Sequence, residues 1–386
     1  MVQELSNIAI IGAGPAGCAC AYFLSEFGIK NVTLIDYSAP LRTILPTGGG
    51  RCNLTHAEFD FKELVQNYPR GDKFLYSVFS KFDVSDTLSF FEKLGISTYT
   101  QEDGRIFPLS DSSKDVRNKL LEKIKNIKFI KEKALRIEQK QNGFNIVTDV
   151  NSYNVDKIIY STGGHNGYEI IKRLGVSIIE PKPALVGLVT KKKFNQIMGT
   201  VLKNVYNKET NLTGDILFTH FGISAPLIYK ISSINARKNF PYVLTFDLVQ
   251  DLPDLQNLLN TNPHKSIKNL LSDIIPHKFA ELILDEIQID KDLKCHKITG
   301  TMRDKIEEQL HNYKIEVNGT KKDGETVTCG GVNLDKINSR TMESTEVPNL
   351  YFCGEVIDVD GFCGGFNLQN CWSSAYVCAN AIFQNL

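Results

Sequence analysis

The stretch Ile8-Ala-Ile-Ile-Gly-Ala-Gly-Pro-Ala-Gly17 decides the fold. An apolar strand runs straight into a turn with the spacing G-x-G-x-x-G at Gly12, Gly14 and Gly17. Apolar residues then recur through Cys18, Ala19, Ala21, Tyr22, Phe23 and Leu24, which predicts a helix packed on a sheet. Asn31-Val-Thr-Leu-Ile-Asp36 predicts a second strand ending in an acid. Gly12 permits the tight turn, Gly14 lets a pyrophosphate approach the backbone, and Gly17 brings helix and strand together. The helix start offers free N–H groups and a positive dipole end to phosphate. Asp36 can accept from a ribose diol, and its charge repels a 2′-phosphate. Strand, turn, helix, strand and acid occur in order, which makes the reading specific.

Outward from that unit, Thr47-Gly-Gly-Gly-Arg-Cys-Asn-Leu-Thr55 follows a polar loop. Three consecutive glycines are costly to order, so a bare backbone is required there. The loop is read as contacting the cofactor, with Arg51 facing a phosphate and Asn53 capping the next segment. Residues 62–95 have helical periodicity ending at Gly95, and Thr98 to Pro108 reads as a hairpin. Ser113 to Ile127 reads as another helix, followed by strands at 128–137, 143–150 and 153–160. Lys157-Ile-Ile-Tyr-Ser-Thr-Gly-Gly164 again ends a buried strand in a close-approach turn. Ligands of open α/β sheets bind at that carboxyl edge. Pro181 and Pro183 mark a crossover.

The pattern then changes. Residues 191–340 read as an insertion, β-rich over 191–250 and 296–340 and helical over 251–295. The chain returns with Asn349-Leu-Tyr-Phe-Cys-Gly-Glu355, a strand ending in Gly-Glu. Gly364-Gly365 then precede a closing helix of small and apolar residues, a second anion-binding helix start. The fold class is therefore α/β: a discontinuous dinucleotide-binding domain, 1–190 with 341–386, carrying the insertion as a substrate domain. A split nucleotide fold suits FAD better than free NAD. No second G-x-G-x-x-G follows a strand, so NAD(P)H would dock only transiently.

The totals exclude other classes. The chain has 386 residues, with Lys+Arg and Asp+Glu both 44. Near-zero net charge argues against charge-driven binding to nucleic acid or membrane, so neither partner is expected. No apolar run reaches the ~20 residues needed to span a bilayer. No basic region precedes the N-terminal apolar run, so a cytoplasmic location is expected. Nine cysteines without a C-x-x-C pair suit a reducing compartment. No ligand spacing suggests a metal. Oligomeric state is left open.

These residues resemble the bacterial BaiN-type NAD(P)/FAD-dependent oxidoreductases, the aminoacetone-oxidase-like flavoproteins. The resemblance spans nearly the whole chain. It rests on the turn through Gly17, Gly-Gly-Gly-Arg-Cys-Asn-Leu-Thr55, Ser-Thr-Gly-Gly164, Phe-Thr-His-Phe-Gly-Ile-Ser224, Thr-Cys-Gly-Gly-Val332, Gly-Glu-Val-Ile-Asp-Val-Asp-Gly361 and Gly-Gly-Phe-Asn-Leu-Gln369. It implies a glutathione-reductase-like FAD domain with an inserted β-barrel-like part and a small helical part. The family has Lys at Thr43, Tyr at Phe366, and Gly at Ala225 and Ala375. Its members include proposed amine oxidases and proposed reductases of conjugated steroid-type substrates.

The cofactor-binding set is then Gly12, Ala13, Gly14, Pro15, Ala16, Gly17, Asp36, Tyr37 and Arg42 in the first unit of the motif. It continues with Gly48, Gly49, Gly50, Arg51, Cys52, Asn53, Leu54, Ala134, Thr162, Gly163 and Gly164. Gly354, Glu355, Asp358, Gly364, Gly365, Phe366, Asn367 and Leu368 complete it. The flavin ring is expected beside 364–367, where the helix dipole stabilises the reduced anion. His220 is the candidate proton donor. Cys52 is read as a packed residue rather than a redox thiol. The expected activity is an NAD(P)H-fed reductase of a small or hydrophobic organic molecule by hydride transfer through flavin N5. The alternatives are an oxygen-using amine oxidase and a flavin-holding redox sensor or RNA-associated protein without turnover.

Overall fold

The computed structural model describes residues 7–165, 167–250, 254–321 and 327–385. The chain divides into two compact units, Met1–Lys182 with Val327–Leu386, and Pro183–Thr326. Each has its own apolar core.

In the first unit five parallel strands form one sheet: β1 (Ile8–Ile11), β2 (Val32–Ile35), β3 (Lys128–Ile130), β4 (Lys157–Tyr160) and β5 (Leu350–Phe352). Their spatial order is β5-β4-β1-β2-β3. All four residues of β1 are buried, as expected of a strand covered on both faces. Helix α1 (Pro15–Glu26) begins with Pro at its first turn and buries every residue from Ala16 to Leu24. Small side chains (Ala16, Gly17, Ala19, Ala21) let it lie close to the sheet and to the closing helix α2 (Phe366–Gln384). Aromatic rings of Tyr22, Phe23, Phe82, Phe90 and Tyr376 interlock at that seam. Strand β5 enters the sheet from the far end of the sequence, so one core joins the two ends of the chain.

The second unit is a closed six-stranded barrel in the order Leu188–Thr190, Gly222–Ser224, Leu212–Phe218, Val201–Asn207, Tyr242–Asp247 and Tyr313–Thr320. Every pairing is antiparallel, including the closing one. Helices Leu255–Thr261, Ile267–Ser272 and His277–Glu286 carry apolar faces into the same core.

Several expectations need correction. The 62–95 region is three helices, Phe61–Leu64, Asp72–Phe79 and Val84–Lys93. Gly71 at φ +83° interrupts the chain, and Asp83 starts a new helix through a capping box with Asp86. The 296–340 stretch is not wholly β, because Gly300–His311 is helical, capped by the Thr299 hydroxyl. Pro181 and Pro183 sit inside an extended strand, Ile178–Ala184, paired with Val327–Val332. The joints between units fall at 182/183 and 326/327. Residues 188–190 are a barrel strand, whereas 327–332 run beside the first unit's sheet connection.

Candidate cofactor site

The site is built by backbone turns at the carboxyl edge of the β5-β4-β1-β2-β3 sheet. Gly12 has φ +106°, and a Cβ there would lie 2.4 Å from the Ser161 carbonyl oxygen. A Cβ on Gly17 would lie 1.9 Å from the Gly12 carbonyl oxygen. Both glycines are demanded by the protein's own packing. Gly14 differs: the nearest atom to its Cβ position is Thr43 Oγ1 at 3.9 Å. Nothing in the fold requires glycine there, and the open face leaves room for a ligand. Gly14 also caps α1 without a side-chain hydrogen bond. The first N–H groups of α1 thus lack a side-chain acceptor, which suits a pyrophosphate.

Asp36 is locked beside this turn. Its Oδ2 accepts from the Ala13 N–H at 2.7 Å, and its Oδ1 accepts from the Ser38 N–H and hydroxyl. A carboxylate accepts about four hydrogen bonds, so capacity remains for a ribose hydroxyl. Tyr37 is exposed, Ala134 is half-buried at the start of its strand, and Arg42 is exposed at the head of a short 3₁₀ turn.

Gly48, Gly49 and Gly50 all have positive φ, at +57°, +69° and +88°. A Cβ on Gly48 would strike the Phe107 ring at 2.7 Å, whereas Gly49 faces open space. Arg51 lays its guanidinium 4.0 Å from the Phe107 ring centre and donates from Nε to the Gly48 carbonyl. Cys52 is buried, and burial pushes its thiol up to about 12. It is therefore a neutral packed residue at physiological pH. Leu54 is fully buried, and its carbonyl accepts from the Trp372 indole at 2.9 Å. Asn53 Oδ1 is buried with no hydrogen-bond partner among the described residues.

The β4 turn closes over Gly12: the Ser161 hydroxyl donates to the Gly12 carbonyl at 2.9 Å. Thr162 is half-buried, and Gly163, at φ +78°, has open space at its Cβ position. Gly164 abuts Thr328 and Glu355. Glu355 Oε1 accepts from the Thr328 N–H at 2.9 Å. Burial raises the Tyr168 phenol, and the Glu355 and Asp358 carboxylates raise it further. The Tyr168 hydroxyl likewise has no partner among the described residues.

The far end of the sequence meets the first turn directly. A Cβ on Gly354 would lie 2.6 Å from Ala16 Cβ. Gly365, at φ +99°, is the N-cap of α2, and a Cβ there would meet the Thr55 carbonyl at 2.5 Å and Asn53 Oδ1 at 2.9 Å. Phe366 is buried against the His56 ring, centroids 4.6 Å apart, and its carbonyl accepts from the Tyr68 hydroxyl. The Asn367 amide is committed to the turn: it exchanges two hydrogen bonds with the Gly361 backbone, both 2.8 Å. Leu368 packs on the core. The sequence reading missed the braces of this turn. Half-buried Arg70 and buried Asp360 form a two-pronged ion pair, and His56 Nδ1 lies 3.1 Å from the Gly364 carbonyl oxygen. Only His56 was within reach of sequence reading, because it directly follows the Gly-Gly-Gly-Arg-Cys-Asn-Leu-Thr block.

These residues fit FAD. Gly14, Gly49 and Gly163 leave their Cβ positions open, α1 and α2 present helix starts, and two buried polar atoms lack partners. When bound, FAD supplies two-electron hydride chemistry; the chain supplies position and electrostatics. His220 belongs to the barrel unit, exposed in the turn at 219–222 and edge-on to Phe221.

Known proteins agree with this geometry. The family model described as HI0933-like protein Rossmann domain matches residues 6–381. The chain is 30% identical to a ribosomal RNA dihydrouridine synthase of Escherichia coli K12, covering 98% of each chain. It is 26% identical to a 3-dehydro-bile acid delta(4,6)-reductase of Clostridium scindens, covering 98% of this chain and 99% of the other. A flavocytochrome c3 fumarate reductase shares the fold, with a TM-score of 0.52 and 13% identity over 99% of this chain and 78% of that one. Among the described residues no helix is long and apolar enough to cross a membrane. The chain belongs to the HI0933-like Rossmann family of FAD-dependent oxidoreductases.

Proposed function

We propose that this protein reduces a carbon–carbon double bond conjugated to a carbonyl, and that its substrate is uracil within RNA. The observation that supports the flavin half is the set of bare turns: Gly14 stands where the fold leaves room for a side chain, and Gly49 and Gly163 take positive φ with open space beyond them. The substrate half rests on the chemistry that two relatives' names have in common. Dihydrouridine is uridine saturated at the C5=C6 bond, conjugated to the C4 carbonyl. A 3-dehydro steroid with a Δ4 double bond is an enone of the same kind. The relative named for RNA aligns over 98% of each chain. The expectation of no nucleic-acid partner rested on total charge, which describes the whole molecule's field and not a local surface.

In this reading the bound FAD would supply the hydride chemistry, with NAD(P)H as electron source, and the product would carry the added hydride at C6 and the added proton at C5. Asp36 would hold the adenosine end, and the 364–368 helix start would face the flavin ring. The test is anaerobic. NADPH or NADH should bleach the flavin of the purified protein. Adding unmodified ribosomal RNA should restore the oxidised spectrum, and mass spectrometry of the digested RNA should show uridine gaining two hydrogens. Recovery with an enone steroid and not with RNA would move the substrate to the bile-acid type. Bleaching by an amine and not by nicotinamide would make the protein an amine oxidase.

A further inference from the structure

Among the described residues, the barrel unit carries an exposed surface on which cations and aromatic rings alternate. No Asp or Glu occurs between Ile216 and Phe246, while Lys230, Arg237 and Lys238 do. The helix Pro226–Ile234 ends in this stretch, and the chain crosses Arg237-Lys-Asn-Phe-Pro-Tyr-Val243 to enter the barrel strand Tyr242–Asp247. Arg237, Lys238 and Asn239 are exposed; Phe240 is 42% exposed and Val243 47%. Large apolar side chains held in water usually mark a contact surface.

The rings are ordered. Tyr242 shares its strand face with buried Leu244 and Phe246, so it is anchored in the barrel core. Phe240 stacks on it, with centroids 5.4 Å apart and planes at 21°. Lys238 Nζ lies 5.8 Å from the Tyr242 ring centre. The result is a braced aromatic ledge with one ring partly in solvent and cations beside it. Two nearby acids have partners of their own. Glu316, opposite Val243, pairs with Lys191 at 2.9 Å, and Glu209 accepts from the Thr245 N–H. The run Lys191-Lys-Lys193 offers less, because Lys191 is held by Glu316 and Lys192 by Glu286.

We propose that residues 237–243 form an RNA-contacting surface that stacks an unpaired base on Phe240 and holds a flanking phosphate with Lys238. This combination, a stacking ring with adjoining cations, is how single strands are gripped without sequence readout. The proposal rests on the RNA reading above and deepens it by naming where the strand is held.

The experiment uses FAD-loaded full-length protein and a short fluorescein-labelled oligouridylate, followed by fluorescence anisotropy across a salt series. Phe240→Ala should weaken binding about tenfold, and Phe240→Trp should restore it. Lys238→Gln should reduce the slope of log affinity against log salt by about 0.7, the value for one lost single-strand phosphate contact. Flavin content and the unfolding midpoint verify that each variant is folded. If the wild type binds RNA and both Phe240→Ala and Lys238→Gln bind it equally well, the surface is elsewhere and the RNA reading stands. If the wild type does not bind the oligouridylate at low salt, both readings fall.

Discussion

The two units carry function in different ways. In the first, the site is made of backbone: glycine turns, helix starts and braced carbonyls at one sheet edge. In the second, the proposed contact surface is made of side chains on a barrel rim. Backbone-built sites tolerate almost no substitution, because the ligand or the next turn occupies the place of a Cβ. A side-chain surface can be rewritten without disturbing the barrel beneath it, so one nucleotide fold can serve unlike substrates.

The sharpest way to break this comparison lies within the first unit. Gly17→Ala places a methyl inside the van der Waals radius of the Gly12 carbonyl, and should cost about 3 kcal/mol or more, or prevent folding. Gly14→Val should fold, because its direction is open, yet purify without yellow colour. Denaturation midpoints and flavin absorbance separate the two. A yellow Gly14→Val protein would remove the pyrophosphate from this turn.

The next contrast sets a buried ion pair against an exposed one. Arg70→Met removes the guanidinium from the buried Asp360 carboxylate, with an expected loss of about 3–5 kcal/mol in urea unfolding. Lys191→Met removes a pair at the barrel surface and should change stability by less than about 1 kcal/mol. Equal losses would contradict the burial difference.

A smaller effect is expected in the barrel unit itself. Ala225 sits at φ +109° and ψ 166°, a region that glycine occupies freely and alanine enters under strain. The related family has glycine at this place. Ala225→Gly should therefore stabilise the protein by about 1 kcal/mol, seen as a later unfolding midpoint. A destabilised variant would mean that the alanine methyl contributes packing that outweighs the strain. The smallest perturbation is chemical. Cys363 is exposed and the other cysteines are buried, so iodoacetamide under native conditions should label Cys363 first and leave Cys52 unmodified. Early labelling of Cys52 would show that its loop opens.

Much of the first unit was legible because its constraints act at short range. G-x-G-x-x-G between a strand and a helix, Gly-Gly-Gly-Arg-Cys-Asn, and Gly-Glu after a strand each record a local backbone need that only glycine meets. Breaks inside helical runs were harder to see. Gly71 and the Asp83 cap divide 61–93 although the apolar period continues across them. The helix Gly300–His311 has few buried positions, Ile306 and Leu310 among them, so its pattern was too thin to stand out between strands.

The sequence by itself determined that a dinucleotide turn opens the chain, that a glycine-rich helix start closes it, and that a different kind of structure lies between. Each follows from the conformations that one short segment can adopt. Tertiary structure alone decided which glycines abut their own protein and which face open space. It alone joined Arg70 to Asp360, and the Trp372 indole to the Leu54 carbonyl. Those facts depend on atoms far apart in the chain, whose distances are fixed only when the two cores close.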